Sequence, residues 1–371
     1  MLTTSITEGS TTLNVPLLDE GASYPPSSAE VFFNPSQRLS RDITVVTMGV
    51  LTEGLDEKMS YLDALAATGV RGLRIAHELD RFDVMLCDWN RRAIELIESN
   101  VARMEESVEV AHADATVLMR QRHFDVVDID PFGSPAPLLD SAARSARRFL
   151  WITATDRAPL CGAHPRAALR KYAAHPLNTE YHAEVGLRTL LYAIACALAR
   201  CGKGMTPLLS FSTAHYYRTL LKVENGKKTA YDTMSHVGHI QHCHGCGYRK
   251  WQEGLCAPSS DCPVCGGRLE YCGPLWLGQY KDDALCEQVM MGLERIKSSE
   301  GARLMGLLRE ELHTPTCYDY HIMAKRRATS PPKMSVLLEK LRSMAYAASR
   351  THYGGTLLKC DAPCEFMCTL P

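Results

Sequence analysis

The sequence has few aromatic residues, almost no net charge, no long apolar run and no signal-peptide pattern, and the last two shortages argue against a membrane or secreted protein. Phe, Trp and Tyr make up only 7% of its 371 residues. The longest apolar run, residues 190–199, is about half a membrane span. The opening residues, MLTTSITEGS, lack the basic and apolar regions of a signal peptide. We therefore expect a cytoplasmic protein without a membrane segment.

The remaining composition is that of an ordinary globular protein. Hydrophobic residues make up 46% and charged residues 22% of the chain, which excludes a disordered or fibrous protein. The 15 cysteines are too sparse for a small disulfide scaffold, so we expect reduced thiols. The length suggests two or three domains.

The net charge of −1 is unevenly distributed along the chain. Residues 1–30 contain no Lys or Arg, whereas residues 141–171 and 321–360 are strongly basic, with Asp156 and Glu339 as their only acids. Such clusters favour contact with the phosphates of a polyanion. Basic helix faces that are merely solvated would give the same sequence pattern. No feature of the sequence requires a protein partner.

From residue 61 onward, short apolar runs alternate with amphipathic ones. The pattern predicts strands at 61–67, 83–88, 108–114, 124–130, 149–156, 208–214 and 219–224. It predicts helices at 70–79, 91–104, 115–122, 136–146 and 180–200. Strand–helix–strand repeats at this spacing form parallel sheets. We therefore predict an α/β fold of the Rossmann-like type with a mostly parallel seven-stranded sheet.

The second half of the chain changes character. Residues 226–280 are rich in Gly, His and Cys, residues 281–312 are helical in pattern, and a helix after Ser330 precedes two short extended runs near Gly354. We predict four regions. They are an N-terminal extension (1–30), the α/β domain (31–225), a metal-binding segment (226–280) and a small α+β C-terminal domain (281–371).

Ligands of such sheets bind at the carboxyl ends of the strands. After the first strand, Thr68 and Gly69 form a turn without the G-x-G-x-x-G pattern, which disfavours a nicotinamide enzyme. Asp88 ends the second strand and is placed to accept ribose hydroxyls, and Asp114 with Ala115 follows the third. This series favours S-adenosylmethionine as the cofactor. In the alternative interpretation, both aspartates merely cap helices.

The fourth strand ends in Asp130-Pro131-Phe132. A carboxylate beside a peptide carbonyl forms an acceptor pair for an NH₂ group, and Phe132 offers a ring on which a base can stack. The motif is similar to the D/N-P-P-F/Y motif of amino-methyltransferases, with Phe132 in its third position and Gly133 in its fourth. We assign Asp130, Pro131 and Phe132 to catalysis.

Four cysteines have the spacing of a zinc site. Cys243-x₂-Cys246 and Cys262-x₂-Cys265 are separated by fifteen residues, and four thiolates complete a tetrahedral structural centre. Other potential ligands lie close to them in sequence, namely His242, His244, Cys256 and Cys272. We interpret Cys360, Cys364 and Cys368 as incidental.

Several segments together resemble the archaeal tRNA (guanine-26 N2)-dimethyltransferase family over roughly residues 30–362. They are VFFNP at 31–35, RD at 41–42, LDALAATGVRG at 62–72, DPFGSP at 130–135, TATD at 153–156, LCG at 160–162, GPLWLG at 273–278 and RTHY at 350–353.

The resemblance implies a class I methyltransferase domain that transfers one or two methyl groups from S-adenosylmethionine to N2 of guanine 26 in tRNA. It also implies that the C-terminal domain binds tRNA. It places cofactor contacts on the residues Arg41, Arg71, Asp88, Asp114 and Ala115, and it places Asp130 at the reacting amine. We place Phe32 and Asn34 with the substrate.

Two further alternatives stay open from the sequence. An adenine-N6 methyltransferase would use the same acceptor pair after the fourth strand. A zinc-containing RNA-binding protein without catalysis would not need acids at three successive strand ends. The sequence does not decide between one and two methyl additions.

Overall fold

The computed structural model of the chain describes residues 1–17, 29–254 and 259–370. Residues 18–28 of the predicted N-terminal extension therefore lie outside the described residues, and so does Cys256. Within them, the strands are β1 (Thr3–Glu8), β2 (Thr11–Pro16), β3 (Met59–Asp63), β4 (Phe82–Asp88), β5 (Val108–His112), β6 (Phe124–Ile129), β7 (Ala146–Ala154), β8 (Lys203–Ser212), β9 (Tyr217–Asn225), β10 (Val237–His242), β11 (Arg249–Glu253), β12 (Glu270–Trp276), β13 (Tyr318–Asp319), β14 (Ala348–Arg350) and β15 (Leu357–Cys360).

The α-helices of the same described ranges alternate with these strands in the first half of the chain and predominate near its end. They are α1 (Arg38–Thr52), α2 (Val70–Glu78), α3 (Arg91–Val101), α4 (Ala115–Gln121), α5 (Leu139–Ser145), α6 (Arg157–Leu160), α7 (Pro165–Tyr172), α8 (His182–Arg200), α9 (Lys227–Ser235), α10 (Asp283–Arg295), α11 (Ser299–Glu310), α12 (Tyr320–Arg326), α13 (Met334–Ser343) and α14 (Cys364–Met367).

The main sheet has seven strands in the order β5-β4-β3-β6-β7-β9-β8. The pairings of β3 with β4 and β6, of β4 with β5, and of β6 with β7 are parallel, and Tyr61 lies between Val84 and Val126 in the register. Most residues of β3, β4, β6 and β7 are buried, because both faces of a parallel sheet are covered. The predicted α/β fold with a seven-stranded, mostly parallel sheet is confirmed.

Some element boundaries differ from the prediction for local reasons. β3 ends at Asp63 rather than at residue 67, because Ala67 and Gly69 have φ angles of +49° and +77° and turn the chain. The predicted helix 136–146 begins as a 3₁₀ turn over Ala136–Leu138 and becomes α-helical only in α5.

The hairpin β1–β2 and the helix α1 were absent from the prediction. β1 is mostly exposed and lacks an apolar alternation. α1 contains Ile43, Val45 and Val46, β-branched residues that disfavour helices in local propensity. Tertiary packing decides both elements, since Ile43 and the β2 residue Val15 are almost fully buried.

The chain divides into two compact units. The first comprises Met1–Thr153, Arg218–Glu224 and Ala284–Gly306, and the second comprises Ala154–Tyr217, Asn225–Asp283 and Leu307–Pro371. The bounds of the four predicted regions stay predictions.

The second unit is built around α8. By length and composition alone α8 is apolar enough to cross a membrane, but 72% of its most apolar window is buried in the protein, as in a core helix. The unit also contains the three-stranded sheets β11-β10-β12 and β13-β15-β14. The second of these sheets, with α12, α13 and α14, encloses an apolar core of its own.

Candidate active site and zinc centre

The turn after β3 is held by the carboxylate at the end of β4. The Ala67 N–H donates to Asp88 Oδ2 at 2.8 Å, and the Asn90 N–H donates to Oδ1, also at 2.8 Å. Gly69 is the N-cap residue of α2, and a Cβ there would lie only 3.1 Å from side-chain atoms of Ile97 and Leu73. The turn and Asp88, both predicted to contact the cofactor, are thus brought together at the carboxyl edge of the sheet.

Asp114 caps α4, as the alternative interpretation anticipates. Its Oδ1 accepts the N–H groups of Thr116 at 2.7 Å and Val117 at 3.2 Å. The Thr116 hydroxyl also donates to Oδ1, and this bond together with the two N–H bonds holds the pKa of Asp114 below its usual range. All of these bonds end on Oδ1, so capping and a contact from Oδ2 to a cofactor are compatible. Ala115, the first residue of α4, is buried.

Arg71 joins the predicted cofactor site to the predicted amine pocket. Its guanidinium makes a short ion pair with Asp130 Oδ2, while Nη1 donates to Ser40 Oγ at 3.3 Å and Thr44 Oγ1 at 3.0 Å. Arg71 is almost buried, whereas the Asp130 side chain is 20% exposed. One oxygen of Asp130 therefore has a fixed cationic partner beside the mouth of the site.

A fully buried ion pair lies beneath this site. Asp128, on β6, accepts from Arg218 Nη2 at 2.6 Å and Nη1 at 3.2 Å, and from the Tyr61 hydroxyl at 2.8 Å. Arg218 also stacks on the Trp151 ring at 4.4 Å. Burial alone would raise the pKa of Asp128, but Arg218 and Arg71 hold it below its usual range.

Within the described ranges Asp63, unlike Asp128, forms no ion pair with an arginine or lysine. It ends β3 almost fully buried and accepts the Gly72 N–H at 3.2 Å. Burial, together with the nearby Asp128 carboxylate, raises the pKa of Asp63 to about 7. Sequence reasoning did not single out Asp63 or Arg218, because a charge within an apolar strand gives no sign of its distant partner.

The segment predicted to meet the substrate lies against the amine pocket. The rings of Phe32 and Phe132 touch edge to face, with centroids 4.3 Å apart, and Phe132 is 58% exposed. A base held between these two rings would require them to separate. The Asn34 side chain caps the following turn by accepting the Ser36 N–H at 2.9 Å, and the Asn34 backbone carbonyl accepts from Arg41 Nη1 at 3.2 Å.

Trp89 is a further surface residue that the sequence prediction missed. It follows Asp88 directly and is 75% exposed, a high value for the largest apolar side chain. Val117, in the first turn of α4, is also exposed. Trp89 and Val117 therefore provide exposed apolar surface, near Asp88 and Asp114, on which the planar ring of a ligand can pack.

The second unit contains the four predicted zinc ligands as one cluster. The Sγ atoms of Cys243, Cys246, Cys262 and Cys265 all lie within 4.8 Å of one another. Two of the Sγ–Sγ distances, Cys243–Cys265 and Cys246–Cys262, are 3.5 Å. Sulfurs around tetrahedral zinc are about 3.8 Å apart for bonds of ~2.3 Å, so the cluster fits the metal.

Backbone turns shape both pairs of this cluster. The Gly247 N–H donates to the Cys243 carbonyl at 2.8 Å, and the Gly266 N–H donates to the Cys262 carbonyl at 2.9 Å. Each pair is thus a closed knuckle that presents two thiols on the same side.

The other potential ligands near the cluster do not join it among the described residues. His242 is buried beside the Tyr181 hydroxyl, His244 lies near Glu270, and Cys272 lies in an apolar core. Cys364 and Cys368, interpreted from sequence as incidental, pack against the cluster.

The basic clusters are partly at the surface. In the first unit Arg144, Arg147 and Arg148 are exposed. In the second unit the exposed basic residues of the 321–360 cluster are Lys325, Arg327, Lys333, Lys340, Arg342 and Arg350. Lys359 is fully buried and binds Glu184 at 2.9 Å, so it does not belong to this surface.

The strand order, the glycine turn after β3 and the acids at successive strand ends define a class I methyltransferase fold. A profile of the N2,N2-dimethylguanosine tRNA methyltransferase family matches residues 10–370. The chain belongs to this family.

Individual relatives agree over the whole length. The chain is 44% identical to the tRNA (guanine(26)-N(2))-dimethyltransferase of Methanoculleus marisnigri, over 96% of both chains. It is 43% identical to the enzyme of the same name from Haloarcula marismortui, over 96% of both chains. Among solved structures, Trm1 from Pyrococcus horikoshii in complex with S-adenosyl-L-methionine superimposes with a TM-score of 0.87 and 34% identity, covering 98% of each chain.

Proposed function

We propose that this protein transfers one or two methyl groups from S-adenosylmethionine to the exocyclic N2 of guanine 26 in tRNA. The observation that carries the proposal is the Asp130 carboxylate, fixed by Arg71 at the carboxyl edge of the sheet in a member of this family.

The residues around the glycine turn fit the cofactor. Thr68 and Gly69 bring the backbone close to a ligand, and Asp88 has lone pairs for ribose hydroxyls beyond the two N–H bonds it accepts. Asp114 and Ala115 are assigned to the adenine. When bound, S-adenosylmethionine supplies an electrophilic methyl group on a sulfonium centre.

Asp130 and Pro131 are assigned to the amine. Because Arg71 binds Oδ2, Oδ1 of Asp130 is the oxygen placed to accept one N–H of guanine N2, and the Pro131 carbonyl accepts the other. Two acceptors favour the pyramidal nitrogen that forms as N2 attacks, and holding N2 in line about 3 Å from the methyl carbon supplies most of the rate enhancement. The proton then leaves through Asp130.

Phe132 is assigned to the base itself. A guanine inside folded tRNA must be extruded first, at a cost on the order of a few kcal/mol. Stacking on an exposed ring is worth ~1–3 kcal/mol per base, and the exposed arginines and lysines contact phosphates. Phe32 and Asn34 border the same pocket.

The zinc site has a structural role in this proposal. Four thiolates fill a tetrahedral coordination sphere and leave no position for a substrate. The protein acts in the cytoplasm on tRNA, without a membrane or an obligatory protein partner.

Asp130→Ala tests the assignment. We expect the single-turnover rate of methyl transfer to fall by at least about a hundredfold, as for removal of an acid–base group, while cofactor affinity measured by calorimetry stays near wild type. Asp83→Ala is the control, because Asp83 is an exposed acid near the opposite end of the sheet. A near-wild-type rate in Asp130→Ala would overturn the assignment.

A further inference from the structure

The strand β1 buries only one of its residues, and that residue is charged. Glu8 is 4% exposed, whereas Thr3 to Thr7 are exposed or half-buried. The next residue, Gly9, has a φ of +59°, and a Cβ there would lie 2.4 Å from the Glu78 carboxylate. Both the positive φ and the close Glu78 carboxylate favour glycine at this turn, which follows Glu8 at the end of its strand.

Glu8 binds Arg41 with both carboxylate oxygens. Oε2 accepts from Arg41 Nε at 2.7 Å, and Oε1 accepts from Nη2 at 2.5 Å. A second arginine, Arg74, approaches Oε2 at 3.5 Å and is itself paired with Asp42 at 2.6 Å. This two-bond arrangement fixes the plane of the Arg41 guanidinium as well as its position.

Arg41 in turn supports the segment beside the amine pocket. Its Nη1 donates to the Asn34 carbonyl at 3.2 Å, and its guanidinium lies 5.5 Å from the centre of the Phe33 ring. The neighbouring residue, Phe32, touches Phe132. Contacts therefore run from Glu8 through Arg41 to the aromatic edge of the proposed active site.

We propose that Glu8 is a positioning residue for methyl transfer, and that it orients Arg41 so that the guanidinium receives the amino-acid carboxylate of the methyl donor. The inference rests on the proposed function and on the cofactor contact that the family resemblance implies for Arg41. A guanidinium has five N–H donors, and Glu8 and Asn34 account for three of them. The other two are donors available to a carboxylate.

Energetics favour a positioning role over a purely stabilising one. Burying a charged pair costs desolvation energy, which the pair regains only when its geometry is good. Apolar residues in its place would stabilise the hairpin equally well. Leu13 and Val15 on β2 already provide that apolar contact with Phe33 and Val70. An apolar residue at position 8 would not orient the Arg41 guanidinium, whereas Glu8 does.

Glu8→Ala tests this inference with two ligands. S-adenosylhomocysteine carries the amino-acid carboxylate, whereas methylthioadenosine has the same nucleoside and no carboxylate. We expect Glu8→Ala to weaken S-adenosylhomocysteine binding about tenfold, the scale of one charge-assisted contact, and to change methylthioadenosine binding less than about twofold. Equal weakening of both ligands, or no weakening of either, would overturn the inference.

Two controls separate this result from other failures. Thr11→Val removes only the bond from Thr11 to Glu78 in the same hairpin, and both affinities are expected to stay unchanged. Arg41→Met tests the parent assignment: if it leaves S-adenosylhomocysteine affinity intact, the cofactor role of Arg41 is wrong, whatever Glu8 does. If Glu8→Ala does not fold, Glu8→Gln keeps the side-chain volume and one acceptor, and it should show the same selective loss at several-fold.

Discussion

The buried pair under the active site gives a prediction whose size follows from the structure. Asp128 and Arg218 are both fully buried, and Asp128 accepts from both terminal nitrogens of Arg218. Asp128→Asn keeps the shape and removes the charge. The buried guanidinium then loses the carboxylate that binds two of its nitrogens, and the asparagine NH₂ group faces arginine N–H donors.

The expected cost is that of breaking one partner of a buried pair. Such changes destabilise proteins by roughly 3–5 kcal/mol, because the remaining charge is desolvated without compensation. Arg218 retains bonds to Thr153 at 2.6 Å and Thr44 at 2.9 Å and its contact with the Trp151 ring. We therefore expect the lower end of that range, about 3 kcal/mol.

Urea denaturation at pH 7 measures this difference as a shift of the unfolding midpoint. Asp83→Asn is the matched control, because Asp83 lies 3.6 Å from Lys58 with both side chains exposed, and surface pairs contribute at most about 1 kcal/mol. If Asp128→Asn costs no more than this control, the buried pair does not carry the stability that the argument assigns to it.

The remaining predictions concern the cofactor, the metal and pH. Asp88→Ala should weaken S-adenosylmethionine binding by ~1.5–3 kcal/mol in calorimetry, the value of a hydrogen bond to a charged group, and an unchanged dissociation constant would place the ribose elsewhere. Elemental analysis should find about one zinc per chain, and Cys262→Ser should lower thermal stability and weaken tRNA binding while cofactor affinity holds. Loss of the chemical step alone in that variant would contradict a structural zinc. Because the folded-state pKa of Asp63 is raised to about 7, its stabilising contribution is complete below pH 4 and falls as pH rises through 7. Asp63→Asn should therefore gain stability relative to wild type between pH 5 and pH 8, and parallel stability curves would refute the shift.

Local patterns in the sequence were sufficient to predict the sheet and the metal cluster. Apolar runs of strand length, separated by amphipathic helices, follow from the burial of both sheet faces, so their order along the chain predicts a parallel sheet. Acids such as Asp88 are recognisable because they stand where these runs end. The cysteine knuckles are recognisable because ligand spacing is set by the turn that presents two thiols.

Partners far apart in sequence were not predictable in the same way. Arg218 lies 90 residues from Asp128, and the sequence around it reads as an ordinary apolar strand. Glu8 lies in a strand without apolar alternation, and only the fold shows that it meets Arg41. These charges are buried because tertiary pairing compensates their desolvation, and no local propensity records that pairing.

One measurement tests the proposed reaction most directly. Two unmodified tRNA transcripts that differ only in guanine or adenine at position 26 are incubated with the protein and isotope-labelled S-adenosylmethionine, and their nucleosides are analysed by mass spectrometry. We expect label in N2-methylguanosine or N2,N2-dimethylguanosine from the guanine-26 transcript and none from the other. Label in N6-methyladenosine, or equal labelling of guanosine in both transcripts, would contradict the proposal.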